Sequence, residues 1–213
     1  MDDLGAAASS LRAAGFDLLH DFDPAQVGYD EPRGLLIGNT RALWAPFQAA
    51  LAADAALAAD AALAGDAALA ADAALAGAAD PLDRYVELHV RAAFGDARIL
   101  FSHAVPIVPL APIAVATGLA ALAPNHFLVH PVYGPWFALR ACVLLDGPRP
   151  PARAPIAQPC RCTSGCLQPM VGSDDSLPTR WTAVRDACEL RAYRYSDEQL
   201  SFHNAGALRS MRR

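Results

Sequence analysis

The chain has 213 residues and no lysine: all seventeen basic residues are arginine, set against 22 acidic residues, for a net charge of −5. Arginine forks suit carboxylate and phosphate groups, although a GC-rich genome would explain the same bias together with the excess of alanine and proline. An acidic balance with no basic face excludes the electrostatic footprint of a nucleic-acid-binding protein. The sequence also lacks a glycine-rich phosphate loop, a Gly-x-Ser-x-Gly nucleophile elbow and a glycosidase-type carboxylate pair.

Hydrophobic residues make up 54% of the chain, which excludes a wholly disordered protein. The length fits a single domain, and we predict one domain over residues 1–213. Residues 1–5 are acidic and carry neither the basic nor the apolar region of a secretory signal. We therefore expect a cytoplasmic protein, in which the five cysteines do not imply disulfides.

Residues 104–123 form an almost uninterrupted apolar stretch that is long enough to span a bilayer. Pro106, Pro109 and Pro112 crowd its first half, and each removes a helical hydrogen bond. We therefore predict a buried strand end followed by a core helix over residues 112–123, with no membrane span.

Residues 50–79 repeat the unit Ala-Leu-Ala-Ala-Asp-Ala with a period of six. Alanine and leucine favour a helix, but a step of six residues places successive leucines on three different faces, so the helix has no apolar side to bury. We predict a low-complexity insertion that forms a protruding or poorly packed helix. A helix that binds a partner is the alternative.

Elsewhere strands and helices alternate, which predicts an α+β fold. Local signals mark a helix from Arg41, capped by Asn39 or Thr40, and another that begins at Asp80-Pro81. We predict strands at 34–39 and 97–103, a hairpin of 127–132 with 136–145, a connecting loop at 148–159, and a last helix at 196–209 capped by Ser196.

The run His130-Pro-Val-Tyr-Gly-Pro-Trp-Phe-Ala-Leu-Arg140 places aromatic side chains in a tight turn before a strand that carries an arginine. An arginine among apolar strand residues needs an anionic partner, since an unpaired buried charge is costly. The partner is either an internal carboxylate or a bound anion, and the sequence leaves both open.

Three blocks resemble the cyanocobalamin-processing (cblC-type, MMACHC) family in the same order along the chain. They are the signature run at 130–147, the Asp-Pro-Leu-Asp helix start at 80–83 with His89, and Arg-Tyr-Ser-Asp-Glu-Gln at 194–199. The chain departs from the family at Leu119 and Leu128, where vertebrate members carry His and Cys, and in a shortened connection around Asn125.

The resemblance implies a flavin-reductase, nitroreductase-like fold with a mixed sheet. It implies that the protein binds cobalamin base-off in an apolar cavity and removes the upper axial ligand, with reduced flavin (FMN or FAD) for cyanide or glutathione for alkyl groups. The cobalamin-binding positions it implies are Pro112, Ile113, Ala114, Val115, Trp136 and Leu139. Its glutathione-binding arginines correspond to Arg140, Arg185 and Arg209. A homodimer or a downstream cobalamin-handling protein is a possible partner.

Cys160, Cys162 and Cys166, with Cys188 further on, offer a second constellation. Three thiols within seven residues can bind zinc or an iron–sulfur cluster, but the spacing matches neither the ferredoxin run nor a zinc ribbon. A metal or iron–sulfur redox module on the same scaffold is therefore the alternative function, next to redox exchange between thiols and to plain reduced cysteines.

Overall fold

An antiparallel sheet of four strands forms the centre of the computed structural model, which describes residues 3–64, 75, 77–161, 166 and 177–210. The strands lie in the order β1 (Leu18–Phe22), β2 (Arg33–Asn39), β6 (Ala138–Leu145) and β3 (Arg98–Phe101). A second, two-stranded sheet pairs β4 (Ala121–Leu122) with β5 (Leu128–Val129). Every strand pair in the described part is antiparallel, so the expectation of a mixed sheet is wrong.

Helices cover the sheet and complete the expected α+β architecture. The described helices are α1 (Asp3–Ala13), α2 (Trp44–Ala64), α3 (Pro81–Phe94), α4 (Leu110–Ala116), α5 (Leu177–Asp186) and α6 (Asp197–Ser210). Because side chains alternate along a strand, Ile37 and Val143 pack with α2 and α3 on one face. Leu36 and Cys142 pack with α4 on the other face.

The predicted helix starts are confirmed, because each depends on a local cap. Thr40 accepts a hydrogen bond from the Ala42 amide at the 3₁₀ turn that precedes α2. Asp80 accepts from the amides of Leu82 and Asp83, and Ser196 accepts from the amide of Gln199.

The repeat is helical as far as Ala64, and residues 65–74 and 76 lie outside the described part of the chain. Leu63 is 88% exposed, which agrees with a poorly packed helix. Leu75, by contrast, is only 5% exposed and packs in the main core, where its amide donates to the Asp54 carboxylate at 3.0 Å. The expectation of a protruding or poorly packed helix is therefore wrong at Leu75, which belongs to the main core.

Two predictions between residues 110 and 145 are wrong. The core helix begins at Leu110 and ends at Ala116, since Gly118 adopts a left-handed φ of 75° and the chain turns into β4. The predicted hairpin does not form: β5 pairs with β4, whereas β6 pairs with β2 and β3. The turn between β5 and β6 closes on itself through a His130–Gly134 bridge, which separates the two strands.

One helical stretch among the described residues, Arg41–Ala59, is long and apolar enough to cross a membrane by length and composition. The same test is passed by core helices of soluble proteins, and this stretch is weak evidence for a span. The apolar run at 104–123, in contrast, is divided between a loop, α4 and β4.

Gly134 lets the turn at residues 130–134, which we call the signature turn, contact the segment that follows α5. Its φ is 58°, and a Cβ added there would clash with the Leu190 carbonyl oxygen. Only glycine fits both the left-handed backbone and this close approach. The contact holds the turn against the chain that leads into α6.

Replacing Gly134 with alanine is expected to lower the unfolding free energy by roughly 2 kcal/mol or more, because backbone strain and a backbone clash add together. Gly28→Ala is the matched control, with a φ of 83° and no atom within 4 Å of the added Cβ. Urea unfolding compares the two variants. Equal losses for both would show that the Leu190 contact has no energetic importance.

Candidate functional site

A β-bulge at the start of β6 positions Arg140. The register pairs Ile37 with Ala141 and Gly38 with Leu139, so Arg140 has no residue opposite it. Bulges redirect side chains, and they occur often beside functional sites. Here the bulge turns Leu139 to one side of the sheet, where it lines a cavity, while the Arg140 side chain reaches Asn39.

Arg140 is held by a neutral group. Its Nε donates to the Asn39 side-chain oxygen at 2.7 Å, and Asn39 is fully buried at the end of β2. No carboxylate of the described residues lies within ion-pair distance of Arg140, and Asp80 and Asp83 act on it only at longer range. Loss of water lowers the pKa of this guanidinium, so the structure bears a charge that it does not neutralise.

Arg185 is a second guanidinium of this kind, carried by the last turn of α5. Its Cζ stacks 5.4 Å from the Phe127 ring centre and 5.9 Å from that of Trp136, and its Nε has no hydrogen-bond partner among the described residues. Burial lowers its pKa, and repulsion from Arg140 lowers it further. The two cations therefore lie close enough to repel each other.

Arg194, in the same region, is an arginine whose charge is neutralised by ion pairs. It also lies over Trp136, at 5.8 Å, but it donates to Asp186 at 2.6 Å and to Asp197 at 2.8 Å. Those two ion pairs raise its pKa. The contrast marks Arg140 and Arg185, among the described residues, as cations that are available to a ligand.

Tyr195, two residues before α6, and His203 on α6 lie near these cations, since the charges of Arg140 and Arg185 act on both side chains. Gln199 and His203 lie four positions apart on α6 and so share one side of the helix, and the His203 ring lies 5.5 Å from the Tyr195 ring. Tyr195 is 4% exposed and Gln199 1% exposed. The Tyr195 hydroxyl, both polar atoms of the Gln199 amide and Nε2 of His203 have no hydrogen-bond partner among the described residues.

His203 is held in its neutral form. Burial first, then the charges of Arg140 and Arg185, lower its pKa to about 3. Burial raises the pKa of the Tyr195 hydroxyl, and the charges of Arg140 and Arg185 offset part of this rise. We call Arg140, Arg185, Tyr195, Gln199 and His203 the arginine site.

An apolar cavity of about 310 Å³ adjoins the arginine site and is partly open to solvent. Arg185 belongs to both. The remaining wall is mostly apolar, with Val108, Leu110, Ala111, Phe127, Leu128, Pro135, Phe137 and Leu139 as its apolar lining. The volume lies at the lower end of the range for small-molecule sites.

The residues proposed from the resemblance fall into three groups. Leu139 and Arg185 line the cavity, and Arg140 lies in the adjoining arginine site. Ile113 and Ala114 are buried in the core under the sheet, Val115 is partly buried and Pro112 is exposed on α4, and none of the four lines the cavity. Trp136 is fully buried beneath Tyr195, and the side chain of Arg209 lies outside the described residues.

The cysteine constellation is only partly described. Cys160 and Cys188 line a separate cavity of about 470 Å³, Cys166 is buried, and Cys162 lies outside the described residues. Among the residues that the structure describes, no group of three or more His, Cys, Asp or Glu side chains could hold a metal ion. The proposed zinc or iron–sulfur site therefore gains no support.

A larger cavity, about 790 Å³, lies at the far end of β6. Its two arginines are already neutralised: Arg33 pairs with Asp21 at 2.7 Å and Arg98 with Glu31 at 2.9 Å. Size alone therefore does not identify the functional site.

Asn39, Gln199 and His203 were not predicted from the sequence as residues of the site. The spacing of four from Tyr195 through His203 was a readable signal for the last two. Asn39 ends an apolar strand, and its role depends on a strand 101 residues away in the sequence.

No family model and no curated protein sequence matches the chain. Among solved structures, it is similar to the crystal structure of a C. elegans B12-trafficking protein CblC, described as a homologue of human MMACHC. The TM-score is 0.58 and the identity 16%, over 96% of this chain and 92% of that chain. The chain has the CblC fold. The expected resemblance is thereby confirmed at the level of the fold, while the nitroreductase-like detail stays a prediction.

The signature turn also makes the fold sensitive to acid. Nδ1 of His130 accepts hydrogen bonds from the amides of Val132 and Tyr133, at 3.1 and 3.2 Å, so protonation at that nitrogen breaks both. Burial, and to a smaller extent the charge of His20, lower the pKa of His130 to about 4. An unfolded histidine titrates near 6.5, so the unfolded state takes up the proton first as the pH falls.

We expect His130 to make the protein roughly 2 kcal/mol less stable at pH 5 than at pH 7, with full stability above about pH 6.5. His130→Asn keeps an acceptor for the turn and removes the titration, so it should flatten this part of the profile. His126→Asn, in the turn that precedes β5 and without a hydrogen bond to the turn at His130, is the control. Urea unfolding at the two pH values measures the difference. If the unfolding free energy of His130→Asn fell between pH 7 and pH 5 by as much as that of the wild-type protein, the role of His130 would be refuted.

Proposed function

We propose that the protein binds cobalamin base-off and removes its upper axial ligand, using glutathione as the acceptor of alkyl groups. The observation that carries the proposal is the pair of guanidiniums, Arg140 and Arg185, which lie beside an apolar cavity and form no ion pair with a carboxylate of the described residues. The CblC fold supports it, since the C. elegans neighbour is named as a B12-trafficking protein.

The apolar cavity would take part of the corrin ring, because broad hydrophobic walls suit a large, mostly apolar ligand. The ring exceeds 310 Å³, so part of it would lie outside the cavity. The loop before α4 offers further apolar surface: Val105 is 94% and Ile107 79% exposed, and Val108 already lines the cavity. Removal of the lower base would leave the cobalt easier to attack or reduce.

The arginine site would bind glutathione through its carboxylates, to which guanidinium forks are complementary. An extended tripeptide spans roughly 10 Å, so a molecule held between Arg140 and Arg185 could extend along Arg185 to the cavity. There its thiolate, after losing the proton to solvent, attacks the alkyl carbon. A sulfur–carbon bond forms, the carbon–cobalt bond breaks, and the electron pair stays on cobalt, giving cob(I)alamin and a thioether.

In this scheme the protein contributes positioning and exclusion of water rather than an acid or base. Reductive removal of cyanide by a reduced flavin stays a prediction, since it rests on the resemblance alone. A cytoplasmic location, a homodimer and a downstream cobalamin-handling partner likewise remain expectations.

Cobalamin binding is tested with methylcobalamin, whose absorbance should shift toward the base-off spectrum on addition of micromolar protein. Ala111→Phe fills the cavity and should weaken this binding at least tenfold, because the added ring takes the space of the ligand. Ala92→Phe, at an exposed position on α3, is the control. Absence of any shift with the wild-type protein would refute the cobalamin proposal.

The thiol step is tested by following loss of methylcobalamin at increasing glutathione concentration. Arg140→Leu and Arg185→Leu should each raise the glutathione KM at least tenfold, about 1.4 kcal/mol of lost binding, because each removes a charged partner of a carboxylate. The control is Arg12→Leu, an exposed arginine of α1. If both site variants retained the wild-type KM while still binding cobalamin, glutathione would not bind at this site.

A further inference from the structure

The arginine site contains acceptors as well as donors. Guanidiniums only donate hydrogen bonds, but the Gln199 amide brings one acceptor oxygen whichever way it is turned, and a neutral imidazole at His203 brings one acceptor nitrogen. Oε1 of Gln199 is buried without a hydrogen-bond partner among the described residues, and so is Nε2 of His203, which accepts in the tautomer that carries the ring proton on Nδ1. A simple anion would satisfy the arginines and leave these acceptors unpaired.

The ligand group that fits must therefore carry a negative charge next to hydrogen-bond donors. Buried polar atoms without partners are costly, and native structures keep few of them. The cluster here is dense: the Tyr195 ring lies 5.5 Å from both the Trp136 and the His203 rings, and the Tyr195 hydroxyl and Trp136 Nε1 are also without partners.

We propose that the arginine site receives an α-amino-acid head group, which in glutathione is the γ-glutamyl end. The proposal rests on the proposed function and specifies which end of the tripeptide binds here. The α-carboxylate lies between Arg140 and Arg185, and the adjacent ammonium donates to Gln199 and His203. The glycine end matches less well, since its carboxylate has one amide N–H beside it, whereas the ammonium offers three donors to the unpaired acceptors.

The charge balance is consistent with a zwitterion. A protonated His203 would add a third positive charge beside the two guanidiniums and repel an ammonium, but burial and the two arginines keep the ring neutral. The carboxylate then separates the ammonium from the guanidiniums. Tyr195 has a hydroxyl that can donate to the carboxylate or accept from the ammonium.

Calorimetric titration with S-methylated peptides tests the proposal without redox chemistry. S-Methyl-γ-glutamylcysteine, which lacks glycine, should bind within threefold of S-methylglutathione. S-Methylcysteinylglycine, which lacks the γ-glutamyl head, and the des-amino analogue with glutaryl in place of γ-glutamyl should each bind at least tenfold more weakly. Equal affinity of the des-amino analogue and S-methylglutathione would overturn the proposal.

A pair of variants separates binding from folding. Gln199→Met removes a buried amide without partners and keeps the size of the side chain, so the urea midpoint should stay or rise while the affinity for S-methylglutathione falls at least fivefold. Ser201→Ala, on the exposed side of the same helix, should change neither. If Gln199→Met lowered the urea midpoint and left the affinity unchanged, Gln199 would have only a structural role. His203→Phe repeats the test at the second acceptor.

Failure of this inference and failure of the proposed function give different results. If S-methylcysteinylglycine binds as tightly as S-methylglutathione, and Arg140→Leu weakens both, the site binds the glycine carboxylate and only the choice of the γ-glutamyl end is wrong. If no peptide binds and Arg140→Leu leaves the glutathione KM unchanged, this inference is wrong and so is the proposal that glutathione binds at the arginine site.

Discussion

The guanidinium of Arg140 is the group on which the rest of this region depends. Its hydrogen-bond partner is the amide of Asn39 rather than a carboxylate, so the arginine is oriented but its charge is not neutralised. Arg194, a few residues from Arg185 in the chain, has two acidic partners. Keeping charges unpaired in a partly buried place costs stability. Such an arrangement is typical of a site that obtains its counter-charge from a ligand.

The β-bulge gives this arginine its direction and links two environments. By inserting one residue into β6, it places Leu139 in the wall of the apolar cavity and leaves Arg140 to contact Asn39. Arg185 then connects the two, because it lines the cavity and repels Arg140. Apolar binding and anion binding are thus adjacent but separate, as the proposed reaction between a corrinoid and a charged thiol requires.

Local signals in the sequence were sufficient for some elements and insufficient for others. The caps at Thr40, Asp80 and Ser196 were predicted because a cap is made by residues two or three positions apart. The predicted hairpin was wrong because strand pairing joins segments that are distant in the sequence, and β6 pairs with β2 instead of with the segment before it. Leu75 was expected in solvent, yet core packing buried it.

The sequence by itself determined the α+β class, the helix starts, the resemblance in three blocks and the unusual arginine in an apolar strand. Those features are readable because each is local, and the partner of Arg140 was left open between an internal acid and a bound anion. Only the tertiary structure showed that the partner of Arg140 among the described residues is Asn39 and not an internal acid, and that Arg185 and His203 lie near it. Whether a buried charge is neutralised depends on distances between residues far apart in the chain, and no local pattern encodes such distances.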